Sequence, residues 1–208
     1  MMTRALAPEP MLARATLRRL QRRAELIRMV APTYHTADMV RALPDDGNRY
    51  EVVHGELLVT PAPRLLHQRI VRRVTVAIER YLESHPVGEV LTAPADISWG
   101  PDILVQPDVF VAPTAETLTG DWSRVQTLLL AVEVLGPSTR RADRFTKRRL
   151  YQEQGVAVYW LIDPEARTVE VWTPQATVPA IENERLPWHP AEAREAFVLE
   201  VEELFRPV

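Results

Sequence analysis

The chain has 208 residues, a length that suits one domain or one domain with a tail. Hydrophobic residues make up 46% and charged residues 25%, enough apolar material for a sizeable core. The absence of cysteine excludes disulfides, thiolate zinc sites and cysteine nucleophiles. No apolar run approaches the roughly 20 residues of a bilayer span, and the start has no apolar leader, so a cytoplasmic protein without a membrane partner is expected.

The net charge of −3 conceals an asymmetry. Residues 1–32 carry seven arginines (Arg4, Arg14, Arg18, Arg19, Arg22, Arg23, Arg28) against Glu9 and Glu25, a surplus of +5 that leaves −8 for the rest. A basic arm on an acidic body steers polyanions. The plainer reading is a solvated helix, or upstream sequence before a start at Met29. Met11 to Val30 reads as a loosely periodic helix ended by Pro32, and residues 1–33 are set apart as a basic helical appendage.

The domain begins near Tyr34. Thr36 caps a short helix through Leu43, closed by Pro44-Asp45-Asp46-Gly47. Tyr50–Val53 and Glu56–Val59 form a tight hairpin across His54-Gly55, with the glycine supplying a positive φ. His67 to Glu83 is the clearest helix, striped by Ile70, Val74, Ile78 and Tyr81 or Leu82. Strands follow at Val90–Ser98, Leu104–Ala112 and Leu128–Leu135, the last apolar enough to be buried on both faces. Arg141 to Gln154 is a helix with Gly155 beyond its end. Val158–Ile162 is another buried strand, and Thr168–Trp172 pairs back with it. The domain proper is 34–174. Residues 175–208 read as a loop-rich C-terminal extension of it, with one last strand at Phe197–Val201. Hairpin, helix, three strands, helix and two strands make an α/β (α+β) domain with a mixed central sheet flanked by helices.

Two acids sit in apolar company. Asp108 lies within Ile103–Val111 and Glu133 within the most apolar strand. An ionised carboxylate is rarely buried without a partner. Each therefore needs a core arginine, a hydrogen-bond network or an open cleft. By alternation Gln106 and Asp108 share one face, and Leu129, Ala131 and Glu133 share another. If the strands are neighbours the acids converge, and a proton or divalent cation must then relieve their repulsion. Oxygen ligands favour Mg²⁺ or Mn²⁺ over zinc. Asp143, Lys147 and Tyr151 stand at i, i+4 and i+8 on one helical face, where Asp143–Lys147 also reads as an ordinary helix ion pair. His67, near a helix start, reads by default as a neutral hydrogen-bonded histidine and alternatively as a proton-transfer group.

In order along the chain, Tyr50-Glu51-Val52-Val53-His54-Gly55-Glu56-Leu57, His67, Val105-Gln106-Pro107-Asp108-Val109, Val132–Thr139, Asp143, Lys147, Tyr151 and Gly155–Pro164 resemble the Uma2 family, once filed as a domain of unknown function. The resemblance covers about residues 35–174. It implies a restriction-endonuclease-like fold of the PD-(D/E)XK superfamily and a metal-dependent endonuclease acting on DNA. Pro107-Asp108 is similar to the Pro-Asp motif, which makes Asp108 a metal ligand, and Glu133 matches the second acid. The position two residues on is Leu135, so Lys147 resembles a relocated catalytic lysine that orients the attacking water or stabilises the transition state. Glu56 is a third candidate carboxylate, and the main-chain carbonyl of Val134 completes the Mg²⁺ (or Mn²⁺) ligand set. His67, Gln106, Asp143 and Tyr151 are accessory candidates. Nucleases of this kind commonly act as homodimers. His54 and Gly136 stand where the family more often has aspartate and serine.

The competing reading is a catalytically silent DNA-binding or scaffold protein on the same fold, against which the acidic body argues. A hydrolase acting on small molecules lacks both a G-x-S-x-G elbow and an H-E-x-x-H motif.

Overall fold

Alternating apolar residues on either side of a Gly turn fold the first strands as a hairpin, β1 (Arg49–Val53) and β2 (Glu56–Thr60), in the computed structural model, which describes residues 33–207. The arginine-rich segment to residue 32 lies outside the described residues. Both turn residues are left-handed, His54 at φ 50° and Gly55 at φ 81°. The hairpin therefore takes the primed turn that matches strand twist, rather than relying on glycine alone. Before it, Thr36 accepts a hydrogen bond from the Met39 N–H and caps α1 (Ala37–Arg41), shorter by two residues than its pattern suggested.

The long helix α2 (Leu65–Ser84) buries Ile70, Val74, Ile78 and Leu82, the i, i+4 stripe seen in the sequence. Each buried side chain of that kind contributes about 1.5–3 kcal/mol.

Proline divides the next two predicted strands, because it cannot donate to a ladder. Val90–Ser98 becomes β3 (Gly88–Thr92) and β4 (Ile97–Gly100), parted at Pro94. Leu104–Ala112 becomes β5 (Ile103–Val105) and β6 (Val109–Pro113), parted at Gln106-Pro107-Asp108. The two halves join different sheets. Asp108 is thus not an interior strand residue but the link between sheets. A single helical turn, α3 (Thr114–Thr117), follows β6.

β7 (Leu130–Val134) pairs antiparallel with β6, setting Val109 opposite Val132. It pairs parallel with β8 (Tyr159–Asp163), setting Glu133 opposite Leu161. A parallel pair needs a crossover. Here it is a π-helical turn (Ala142–Lys147) running into α4 (Arg148–Glu153), where the sequence pattern reads as one α-helix. Gly155 at φ 69° ends α4, and the Val156 N–H returns to the Tyr151 carbonyl.

β9 (Thr168–Trp172) and β10 (Ala180–Glu182) extend the second sheet to the order β10-β9-β8-β7-β6-β3, while the first runs β2-β1-β5-β4. The tail is more regular than expected. β11 (Arg185–Trp188) pairs with β12 (Phe197–Glu200), and α5 (Val201–Phe205) follows. Trp188 and Phe197 join Ile70, Val74 and Trp160 in the core beneath α2. The opposite face of the six-stranded sheet, through Phe110, Ala131 and Leu161, packs on Leu150, Tyr151 and Val105.

Asp163 pins the end of β8. It accepts from Arg140 at 2.8 Å, from Arg144 at 3.0 Å and from the backbone N–H groups of Glu165 and Ala166. Burial pushes its pKa up, but the Ala166 N–H and Arg140 outweigh that and hold it below the ordinary 3.8. Depressed in the fold, this group stabilises above its ordinary pKa and loses its contribution as pH falls through the lower folded value. Asp163→Asn should lower stability at neutral pH by about 1–3 kcal/mol and flatten the acid limb. Urea unfolding of both proteins from neutral pH to below the ordinary 3.8 checks this; parallel stability curves would refute it.

Candidate active site

The site forms where the two sheets meet. Asp108, on the link between β5 and β6, is 3% exposed. Its Oδ1 takes the Arg49 guanidinium at 3.0 Å. Its Oδ2 accepts from the Val134 N–H at 2.8 Å and bonds to His67 Nε2 at 3.0 Å. Arg49 also donates to the Gln106 carbonyl at 3.1 Å. Burial raises the Asp108 pKa, but His67, Arg49 and the Val134 N–H overcome it and hold the carboxyl well below the usual range. An ionised carboxylate only accepts, so the His67 ring carries its proton on Nε2. Asp108 thus pairs with an arginine, as a core acid would, and also faces open space.

Glu133 anchors the second half. β7 runs Leu130, Val132 and Val134 toward α2 and turns Glu133 the other way, toward the crossover helix. Its Oε1 accepts from Lys147 Nζ and from the Tyr151 hydroxyl, both at 3.0 Å. Lys147 stands 2.8 Å from Glu51 Oε2, an ion pair whose alignment falls short of a hydrogen bond, and 3.6 Å from Asp143 Oδ1, an ion pair beyond hydrogen-bond reach. All four are buried: Glu51 0%, Glu133 1%, Asp143 2% and Lys147 1% exposed. Burial pulls the Lys147 pKa down, but Glu133, Glu51 and Asp143 outweigh it and hold the ammonium charged. Burial pushes Glu133 well above the usual carboxylate range despite Lys147, helped by Asp108 and Asp143. It raises Asp143 as well. Buried beside these acids, the Tyr151 and Tyr159 hydroxyls are pushed well up and stay neutral donors.

Asp108, Glu133 and Asp143 line a cavity of about 850 Å³, together with Arg49, His67 and Gln106. Glu51, Lys147 and Tyr151 stand behind that lining. Among the predicted residues, the structure brings Asp108, Glu133, Val134, His67, Gln106, Asp143, Lys147 and Tyr151 to one place. It does not bring Glu56, which is exposed on β2 opposite Val53 and outside the cavity lining. The hairpin acid in the cluster is Glu51, one face-repeat before Val53 on β1, whose Oε1 also accepts from the Gln106 N–H at 2.7 Å. Sequence reasoning misses Arg49 too. The available signal was a charged residue at every second position, Arg49 and Glu51, of a strand that is otherwise apolar.

The donors suit a hard divalent cation in one manner. Mg²⁺ is commonly held by one or two carboxylates, with water and substrate filling the rest, and Asp108 and Glu133 supply two on one cavity wall. Val134 lies beyond the β6–β7 ladder and already turns its N–H to Asp108. A residue in a strand directs its N–H and its C=O to the same side, so the Val134 carbonyl is directed to that side as well. No group of three or more acid or histidine ligands converges among the described residues. Arg49 occupies Asp108 Oδ1, so a cation there must displace a guanidinium.

Among the described residues no helix is long and apolar enough to cross a membrane. No curated protein matches the chain. A crystal structure described as a putative nuclease belonging to DUF820 from Anabaena variabilis matches with a TM-score of 0.65 at 23% identity, covering 82% of this chain and 97% of that one, a likeness of fold. The Uma2 family model, described as "putative restriction endonuclease", matches residues 37–202, well into the tail that the sequence motifs left out. The chain belongs to the Uma2 family, and its nuclease-like fold sets Asp108 and Glu133 on one cavity wall with Lys147 buried behind Glu133.

Proposed function

We propose that the chain is a cytoplasmic, metal-dependent endonuclease that hydrolyses DNA phosphodiester bonds. The observation that carries this is the meeting of Asp108, ionised, with Glu133 on the wall of a cavity that also presents Arg49 and His67. Asp108, Glu133 and the Val134 carbonyl would hold Mg²⁺ or Mn²⁺. When bound, such a cation supplies an activated water and neutralises charge on the phosphate.

The chain's own residues do the rest. Arg49 lines the cavity and offers its remaining guanidinium N–H donors to phosphate oxygens, while His67 spends its Nε2–H on Asp108 and fixes that carboxylate. The Val134 N–H fixes the orientation of Asp108. Lys147 touches Glu133, Glu51 and Asp143 from behind the wall, which gives it a positioning part: it holds the Glu133 carboxylate and adds positive potential beneath the reacting phosphate. Tyr151 braces the same oxygen. A symmetric homodimer would set two such sites on the two strands.

One observation favours the second reading, a catalytically silent DNA-binding protein: Arg49 sits where a cation on Asp108 would bind. Supercoiled plasmid with Mg²⁺, Mn²⁺ or EDTA separates them. The nuclease nicks only with metal, and Asp108→Ala should slow it at least about 100-fold. Cleavage in EDTA, or an Asp108→Ala variant as fast as the parent, would refute the assignment. No cleavage with either metal leaves the silent reading.

A further inference from the structure

Between Glu56 on the hairpin and Glu79 the chain holds no acid: residues 57–78 contain Arg64, Arg69, Arg72 and Arg73 and neither aspartate nor glutamate. Arg69, Arg72 and Arg73 lie in the N-terminal half of α2, and Arg64 is the residue that precedes it. On a body whose balance is acidic, such a concentration of one sign is unusual, and like charges at helical spacing repel.

Several arginines elsewhere are neutralised, whereas Arg124 and Arg194 also lack an acid pair among the described residues but stand apart from one another in the chain. Arg41, Arg140, Arg144 and Arg149 each pair with an acid. Arg73 is tied to the Leu204 carbonyl at 2.9 Å. Burial, then Arg206, Arg72 and Arg69, pull its guanidinium below the ordinary value. Among the described residues Arg64, Arg69 and Arg72 have no acidic partner, and Arg64 and Arg72 are exposed.

Their placement is directional. Ile70, Val74 and Ile78 face the core, so Arg69 and Arg72 face outward. Arg64, Gln68 and Arg72 follow at i, i+4 and i+8 along one flank. Arg64 and Gln68 line the cavity of Asp108 and Glu133, and Arg72 continues the line away from it. The eight residue steps from Arg64 to Arg72 span about 12 Å at 1.5 Å per step. That is roughly three nucleotide steps of one strand at 3.4 Å each. Arg64 and Arg72, so spread, are set for separate anions, with Arg69 a helical neighbour of Arg72. They suit a ligand that repeats its charge, and their planar forks match phosphate oxygens.

We propose that the N-terminal half of α2, with the Arg64 that leads into it, is the track for the phosphodiester backbone of the strand that enters the cavity, with Arg64, Arg69 and Arg72 each taking a phosphate. The cavity's occupant rests on the nuclease reading above; the track itself is tested apart from it.

The experiment measures binding of the full chain to a fluorescent single-stranded and a duplex oligonucleotide in EDTA, over a range of salt. The parent is compared with Arg64→Gln/Arg69→Gln/Arg72→Gln and with a charge-matched control, Arg124→Gln/Arg185→Gln/Arg194→Gln. Loss of three phosphate contacts should make the slope of log affinity against log salt shallower by about two to three and weaken binding more than tenfold at moderate salt. The control should keep the parent slope. An unchanged slope in the α2 variant overturns the track. So does an equal change in the control, or a parent that binds no oligonucleotide and instead binds vesicles of anionic phospholipid. Failure of the nuclease reading looks different: the slope change persists while no metal supports cleavage.

Discussion

Replacing Lys147 with methionine should cost about 3–5 kcal/mol of folding stability, the largest loss expected from any single surface-like position in the sequence. Read from spacing alone, Asp143 and Lys147 are an exposed i, i+4 pair worth about 0.3–0.5 kcal/mol. In the structure both are buried, and Lys147 also faces Glu51 and Glu133. Methionine fills a similar volume but leaves three carboxylates together without a cation. Each must then be protonated or remain uncompensated in a medium that penalises charge. Guanidinium-chloride unfolding of parent and variant decides between the two magnitudes. A loss below about 1 kcal/mol would mean that the pair behaves as a surface pair. Adding Glu51→Gln to Lys147→Met should recover part of the loss, because it removes one of the orphaned charges.

The companion change at the same cluster should act with the opposite sign. Glu133→Gln is expected to fold at least as stably as the parent while losing metal-dependent cleavage by more than about 100-fold. Burial already pushes Glu133 well above the usual carboxylate range, so its charge is held at a cost. Glutamine removes the charge, and its side-chain carbonyl can still accept from Lys147 and Tyr151. Glu51 and Asp143 remain to balance the ammonium. What is lost is the anionic oxygen that would hold the cation beside Asp108. Thermal unfolding and plasmid nicking on one preparation read both halves. A variant that is destabilised by several kcal/mol, or that keeps full activity, contradicts this account of Glu133.

Much of this was visible in the order of residues, for identifiable reasons. Glu133 could be found because every neighbour on β7 is apolar, so a lone acid stands out. Asp108 stood out likewise, but its setting did not. Pro107 reads as one weak point in a continuous strand, whereas it separates β5 from β6 and sends them to different sheets. The alternation of Arg49 and Glu51 on β1 marked a charged face but not its burial, because such a pattern also fits a half-exposed hairpin strand; the burial comes from the crossover helix, which packs on Glu51 from far along the chain. The gap between Glu51 and Glu56 follows from that. Both are hairpin acids by pattern, and only tertiary packing separates them. Beyond its last strand, expected at Phe197–Val201 and found as β12, the tail was illegible for a related reason. Its prolines break local periodicity, and Leu186, Trp188 and Phe197 find their partners on α2 and β8 rather than nearby in the chain.

Lys147 joins Glu51 on one sheet to Glu133 on the other, and this gives mutation an uneven grip on the molecule. A copy of the gene released from selection for catalysis would still be held to its lysine, because a chain that loses it loses the rivet between its two sheets. The same copy would be free to shed Glu133, since drift to glutamine there relieves a buried charge. On the proposed function, then, the lysine should mark folding and the glutamate use. A relative that keeps the first and lacks the second is a folded protein that has left the reaction behind.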